Sequence, residues 1–307
     1  MMKVMTIKNA IIGAGISGCI MAHILKSDYL IIERSSKVGG EMSNNILGPK
    51  MFHKTKETED FFKDYIKDSY KVKNVTLKDE SIIKNDDLDT YKKKIGYSFE
   101  NSKNSSMSEF DALELDLNSF YKDKSILTNA NIIKIDLDKH LIYVLSNNEI
   151  ITIIYTNIIS TIDYSLFCNL CGLKNKFDLQ KRGVIYANFK ADYGIYFTFL
   201  KDYNFWYNLT DNEFFRCTNL KDSVTVELFT ENCDNLQYQL KKYFRYIEDL
   251  KYYYNPNAKI WNNSQQQILY NSLNRIDVYL IGRNSMYNHD RIQDSIKVAK
   301  QIEKEIK

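Results

Sequence analysis

The apolar run Ala10-Ile11-Ile12 passes directly into Gly13-Ala14-Gly15-Ile16-Ser17-Gly18, a G-x-G-x-x-G motif. That spacing asks for a strand, a tight turn and a helix. Gly13 permits the turn, Gly15 lets the backbone approach a pyrophosphate, and Gly18 lets the helix lie close on the sheet. A second apolar strand, Tyr29-Leu30-Ile31-Ile32, ends at Glu33, 20 positions after Gly13 (33 − 13). A carboxylate at that distance can accept hydrogen bonds from a ribose hydroxyl. Ile16 and Ser17 open the helix, whose N–H groups and positive dipole end would face phosphate. Strand, helix and acid together read as a dinucleotide site.

The residues that follow narrow the choice of dinucleotide. Glu33-Arg34-Ser35-Ser36-Lys37-Val38-Gly39-Gly40-Glu41 carries a second glycine pair. A flavin nucleotide buried at full length needs such a pair, because the chain passes where only glycine fits. The alternative is a nicotinamide-binding turn followed by an ordinary loop. E-R-x-x-x-x-G-G resembles the extended FAD fingerprint of the amine oxidase and UDP-galactopyranose mutase superfamily. The resemblance implies FAD, held by Gly13, Gly15, Ile16, Ser17, Gly18, Glu33, Arg34, Gly39 and Gly40, with Ile133, Gly282, Arg283 and Ile292 as further cofactor contacts.

Composition bounds the setting. The 307 residues suffice for one large domain or two closely joined ones, and 44% hydrophobic residues is a globular value. A net charge of +3 gives no electrostatic case for nucleic acid or a membrane surface as the main partner. No stretch approaches the roughly 20 apolar residues that span a bilayer. The start, Met1-Met2-Lys3-Val4-Met5-Thr6, leads straight into the nucleotide strand, so a cytoplasmic protein without signal peptide is expected. Five cysteines at irregular spacing make no disulfide framework, and the single pair Cys168-x-x-Cys171 reads as reduced thiols without a metal. The 23 tyrosines accompany many Asn, Ile and Lys and only 2 Pro, a bias that reflects AT-rich codons rather than a binding surface.

Along the chain, residues 4–34 read as strand, helix, strand. Phe61, Phe62, Tyr65 and Ile66 predict an amphipathic helix over 57–70. From 71 to 124 helix and loop cannot be separated. Residues 126–136 read as one strand, 141–145 and 150–155 as a hairpin about Ser146–Glu149, and 157–163 as a buried return strand. Residues 182–231 alternate as a β-sheet that roofs a cavity, and 235–254 read as helical. Val278-Tyr279-Leu280-Ile281-Gly282-Arg283 is a strand ending in glycine before a helix from about Arg291 to Ile306. The expected fold class is α/β: a Rossmann-type FAD-binding domain (GR2-like) from 1–56, 126–175 and 276–307, with a smaller, discontinuous substrate domain of mixed β-sheet plus helix from 57–125 and 176–275.

Two further segments resemble UDP-galactopyranose mutases: Gly48-Pro49-Lys50-Met51-Phe52-His53-Lys54 is similar to their G-P-H-x-F-H-T, and Ile281 to His289 to their G-R-x-x-x-Y-x-Y. Lys50 stands where the first His would be, and His289 where the last Tyr would be. Phe215-Arg216-Cys217-Thr218-Asn219 is a weaker match to a T-R-x-x-E strand whose Arg pairs with a diphosphate. The resemblance implies isomerisation of a UDP-sugar without net redox change. Arg216 and Arg283 would neutralise the diphosphate, Tyr287 would donate a hydrogen bond, and His53 would support the reduced flavin. The competing reading is a small FAD-dependent amine oxidase or dehydrogenase, with Phe205, Trp206, Tyr207 and Phe215 walling an amine substrate. A third is a flavoprotein acting only in binding or assembly. The residues themselves leave local alternatives: Arg216 could balance Glu213 or Glu227 across a sheet, and His53 could be a satisfied core histidine.

Overall fold

The computed structural model describes residues 3–43, 51–83, 94, 109–174, 180–211, 213–220, 223–261, 273, 275–286 and 291–306. The opening unit is β1 (Lys3–Ile12), α1 (Ile16–Leu25) and β2 (Tyr29–Ile32). Next come β3 (Met51–His53) and α2 (Lys56–Phe62), then the antiparallel partners β4 (Ile66–Lys78), β5 (Ser81–Ile83) and β6 (Glu109–Leu115), and α3 (Leu117–Tyr121). The chain then returns through β7 (Ile126–Leu127), β8 (Ala130–Asp136), β9 (Leu141–Ser146), β10 (Glu149–Ser160) and α4 (Tyr164–Leu170). An antiparallel set follows: β11 (Gln180–Tyr193), β12 (Phe205–Asn208), β13 (Arg216–Leu220) and β14 (Ser223–Leu228), then α5 (Leu236–Tyr243) and β15 (Phe244–Trp261). It closes with β16 (Val278–Leu280), α6 (Arg283–Met286) and α7 (Ile292–Glu305).

Two sheets result. The first runs β7-β2-β1-β10-β9-β8, and β10 is its spine. Along one edge β10 pairs parallel with β1 from Lys3 to Ile12. On its other edge it pairs antiparallel with β9 up to Ile154, then parallel with β16 from Ile158 to Ser160. The second arm of the hairpin and the return strand, expected separately, are thus one 12-residue strand. Its turn is only Asn147-Asn148, both with positive φ, as a two-residue hairpin requires. Apolar side chains alternate between the two faces. Ala10 and Ile12 join a core with Val144, Ile153, Phe167 and Leu280, while Ile11 and Ile31 join another under α1, α2, α3 and α7. Burial on both faces is why these strands read as unbroken apolar runs.

The second sheet runs β15-β11-β14-β13-β12-β4-β6-β3, with β5 beside β4. Met51–His53, placed with the nucleotide segments from sequence, belongs to this sheet. Conversely, Phe62, Leu117 and Phe120, from the segment assigned to the substrate part, pack in the core beneath α1.

Three expectations change. The helix read over 57–70 starts at a Thr55 cap, whose hydroxyl accepts from Thr58 N at 3.2 Å, and ends at Phe62. Beyond a short 3-10 turn, Ile66 to Lys73 pair with β6. The helix read over 235–254 stops at Tyr243. Phe244 onward pairs along β11, where aromatic side chains suit a strand. Residues 126–136 divide at Asn129, whose positive φ turns the chain between β7 and β8. Among the described residues no helix is long and apolar enough to cross a membrane.

Candidate functional site

The glycine turn forms a cradle made of backbone. Gly13 has φ +98, and a Cβ there would sit 2.6 Å from Thr161 Oγ1. A Cβ on Gly18 would sit 2.1 Å from the Gly13 carbonyl oxygen, so helix and turn touch only because residue 18 has no side chain. Gly15 differs: a Cβ there meets nothing within 4 Å, although Ala14 beside it is buried. That open space at the start of α1 is where a group needing close backbone approach would lie. Gly39 and Gly40, both with positive φ, close its side. The Gly39 amide donates to the Ala14 carbonyl at 2.8 Å, and a Cβ on Gly40 would come 3.3 Å from Gly15 Cα.

Both terminal segments meet here. The Ser17 and Ser295 hydroxyls lie 3.2 Å apart, joining the first turns of α1 and α7, and Gly282 (φ +88) lies against Ser17. Two helix N-termini therefore bring unsatisfied N–H groups and partial positive charge to one place. Ile16 and Ile292 are the first residues of those helices, with side chains packed into the shared core. Glu33 accepts from Ala14 N at 2.7 Å through Oε2 and from Ser35 N at 2.8 Å through Oε1. Its carboxylate thus shapes the turn while keeping lone pairs for a further donor. Arg34 beside it is exposed. Ile133 is not brought into the cradle. Its side chain is 49% exposed at a bulge of the edge strand β8, and it is Asn129 and Ala130 whose amides reach the Glu33–Ser35 turn.

Across the second sheet, strand register lines up one polar row. Thr76, Tyr207, Arg216, Glu227, Tyr186 and Tyr253 are successive cross-strand partners on β4, β12, β13, β14, β11 and β15, so they share a face. The next row on that face holds Asn74, Phe205, Thr218, Thr225, Asn188 and Lys251. The opposite face is apolar: Val75, Trp206, Cys217, Val226 and Ala187 pack in a core with Leu236 and Tyr243 of α5. The sheet thus has one dry face and one half-buried face rich in hydroxyl and amide groups. The row also reaches the cradle, since the Tyr253 hydroxyl donates to Glu41 at 2.9–3.0 Å in the turn after the second glycine pair.

The candidate catalytic residues flank this row. His53 stacks on Phe110 at 4.3 Å between centroids, Phe110 stacks on Phe205 at 6.1 Å, and the Arg216 guanidinium lies 5.6 Å from the Phe205 ring centre. Burial, assisted by the charge of Arg291, lowers the His53 pKa to about 4, so its imidazole is neutral at physiological pH. Arg216 is paired with Glu227. Burial raises the Tyr186 and Tyr207 hydroxyls; Glu227 pushes both up, and Arg216 opposes it at both. Arg283 also acts on Tyr186, and Arg291 on Tyr207. The structure therefore gathers His53, Arg216 and Arg283 around one sheet face. Tyr287, with Lys50 and His289, lies outside the described residues.

The proposed amine wall does not form. Trp206 is fully buried on the apolar face, and Phe215 stacks on Phe229 at 4.6 Å, which leaves only Phe205 and Tyr207 on the polar face. Neighbouring residues on a strand point to opposite sides, so a run of aromatics cannot wall one cavity. Sequence reasoning overlooked Glu41, Tyr186, Tyr253 and Arg291. The alternation Tyr186-Ala187-Asn188-Phe189 carried the signal for one, but among 23 tyrosines residue type alone was uninformative.

A family model described as an NAD(P)-binding Rossmann-like domain matches residues 11–64. No curated protein matches the chain by sequence. Similar solved structures include a reduced UDP-galactopyranose mutase (13% identity, 97% of this chain and 93% of that one, TM-score 0.69). Another is a fatty acid isomerase from P. acnes that produces CLA (11% identity, 96% and 97%, TM-score 0.67). A third is putrescine oxidase bound to putrescine (10% identity, 99% of both chains, TM-score 0.65). Three different reactions lie at nearly equal structural distance. The chain has the mixed α/β fold that these mutase, isomerase and oxidase structures share, and that fold does not by itself fix the chemistry.

Proposed function

We propose that this chain is an FAD-binding flavoenzyme of the mutase-like type, isomerising a nucleotide sugar. FAD fits the cradle: Gly15 leaves space for a pyrophosphate, two helix N-termini face it, and Gly39-Gly40 lets the chain pass alongside. The division into a nucleotide part (1–56, 126–175, 276–307) and a substrate part (57–125, 176–275) goes with this reading, its boundary lying near β3. When bound, reduced flavin supplies a nucleophilic nitrogen for a rearrangement without net redox change.

The observation that carries the sugar reading is the composition of the half-buried polar face. Hydroxyls of Thr76, Tyr207, Tyr186, Thr218 and Thr225 and the amide of Asn188 suit a polyhydroxyl ligand. Asn188 already donates to Ser223 and Thr225, and a polyhydroxyl ligand would extend that hydrogen bonding where an apolar chain or an aromatic-caged amine would not. Tyr186 and Tyr207 would orient sugar hydroxyls, and Arg283 would meet phosphate charge. Neutral His53, held flat against Phe110, would offer hydrogen bonding beside the cofactor rather than a positive charge. Anaerobic incubation of the dithionite-reduced holoprotein with UDP-galactofuranose should give isomerisation with no oxygen uptake in a parallel aerobic trace. Peroxide release with an amine, and no isomerisation, would replace this reading with the oxidase.

A further inference from the structure

The position that resembles a diphosphate-binding arginine holds a closed ion pair instead. Arg216 and Glu227 are directly opposite on β13 and β14. Arg216 Nε donates to Glu227 Oε1 at 2.6 Å, and Nη2 reaches the same oxygen. The Glu227 side chain is only 3% exposed, and the Tyr207 hydroxyl accepts a further hydrogen bond from Arg216. With Phe205 beneath it, the guanidinium is committed on its face and on its edge. A phosphate dianion approaching there would meet the Glu227 carboxylate at short range and repulsion in a poorly solvated site. Arg283 and Arg291, by contrast, stand in no ion pair among the described residues. Arg291 is the N-cap of α7, whose first turn meets the cradle at Ser17, and its charge acts on both His53 and Tyr207.

We infer that Glu227 is a specificity-determining residue that makes the centre of the polar face electrically neutral, so that the uncharged polyhydroxyl part of the substrate lies over Arg216 and Glu227 while its anionic part is directed to Arg283 and Arg291. This deepens the nucleotide-sugar reading and rests on it for the identity of the ligand. The placement of charge is tested separately.

The test titrates flavin-loaded protein with inorganic pyrophosphate by calorimetry, the filled cradle keeping the probe out of the cofactor site. Glu227→Gln keeps an acceptor for Arg216 but removes the opposing charge. It should tighten pyrophosphate binding by about tenfold or more, a change no merely structural role would produce. Arg291→Gln should weaken wild-type affinity about tenfold. If Glu227→Gln loses its flavin, the double variant Arg216→Gln/Glu227→Gln replaces the pair by a neutral one and should bind pyrophosphate as the wild type does. Unchanged or weaker binding in Glu227→Gln, or a tenfold loss in the double variant, would overturn the inference. Failure of UDP-galactofuranose isomerisation with these affinities as expected would instead sink the functional reading, leaving the charge placement intact.

Discussion

The glycine cradle and the polar face of the second sheet, the two surfaces proposed to bind, are made in opposite ways. The cradle works through atoms that are missing: Gly13, Gly15 and Gly18 lie within six residues, and each matters for the side chain it lacks. The polar face works through side chains delivered by six strands, from Thr76 to Tyr253. Its geometry depends on register, and a one-residue slip of any strand would exchange a polar partner for an apolar one. Local backbone sites survive divergence of the rest of the chain, whereas assembled faces can be rewritten residue by residue. Structures that catalyse different reactions accordingly share this fold at 10–13% identity.

The contrast is sharpest at Gly15. Gly15→Val should abolish flavin loading while the apoprotein keeps its fold, because the added atoms enter space no protein atom occupies. Retained stoichiometric FAD, read from the absorbance of purified protein, would displace the cofactor from this turn. Next in size is the pair Trp206 and Tyr207, adjacent in sequence on opposite faces. Trp206→Ala should cost about 3–5 kcal/mol in denaturant unfolding, as large aromatic truncations in cores do. Tyr207→Phe should cost about 1 kcal/mol and act mainly on KM. A Trp206→Ala protein of full stability with altered KM would reverse the assignment of faces.

The smallest effect concerns His53. Its folded pKa of about 4 lies below the ordinary 6.5, so the unfolded chain binds more protons between these values. Its contribution is fully present above about pH 6.5 and is lost as pH falls toward 4. His53→Gln should flatten that slope by on the order of 1–2 kcal/mol, allowing for its partial exposure. An unchanged slope in pH-dependent unfolding would mean that the imidazole is solvated.

The sequence disclosed whatever is local. The G-x-G-x-x-G turn, Glu33, the Asn147-Asn148 hairpin and the terminal strand before Gly282 each declare themselves within a few residues. What it concealed is non-local. β4 is a strand because β6 and β12 lie on either side, and β15 because β11 runs beside it; their tyrosine- and lysine-rich segments show no clear period of their own. Arg216 was visible as a candidate, with Glu227 among its possible partners, but only the register of β13 and β14 decides between an anion clamp and an ion pair.

The hydroxyl of Tyr253 is held by both oxygens of Glu41. An outer strand of one layer is thereby fastened to the bend following Gly39 and Gly40, whose own torsions few other residues could hold. A shift of that bend would be passed to β15 through the Tyr253 phenol.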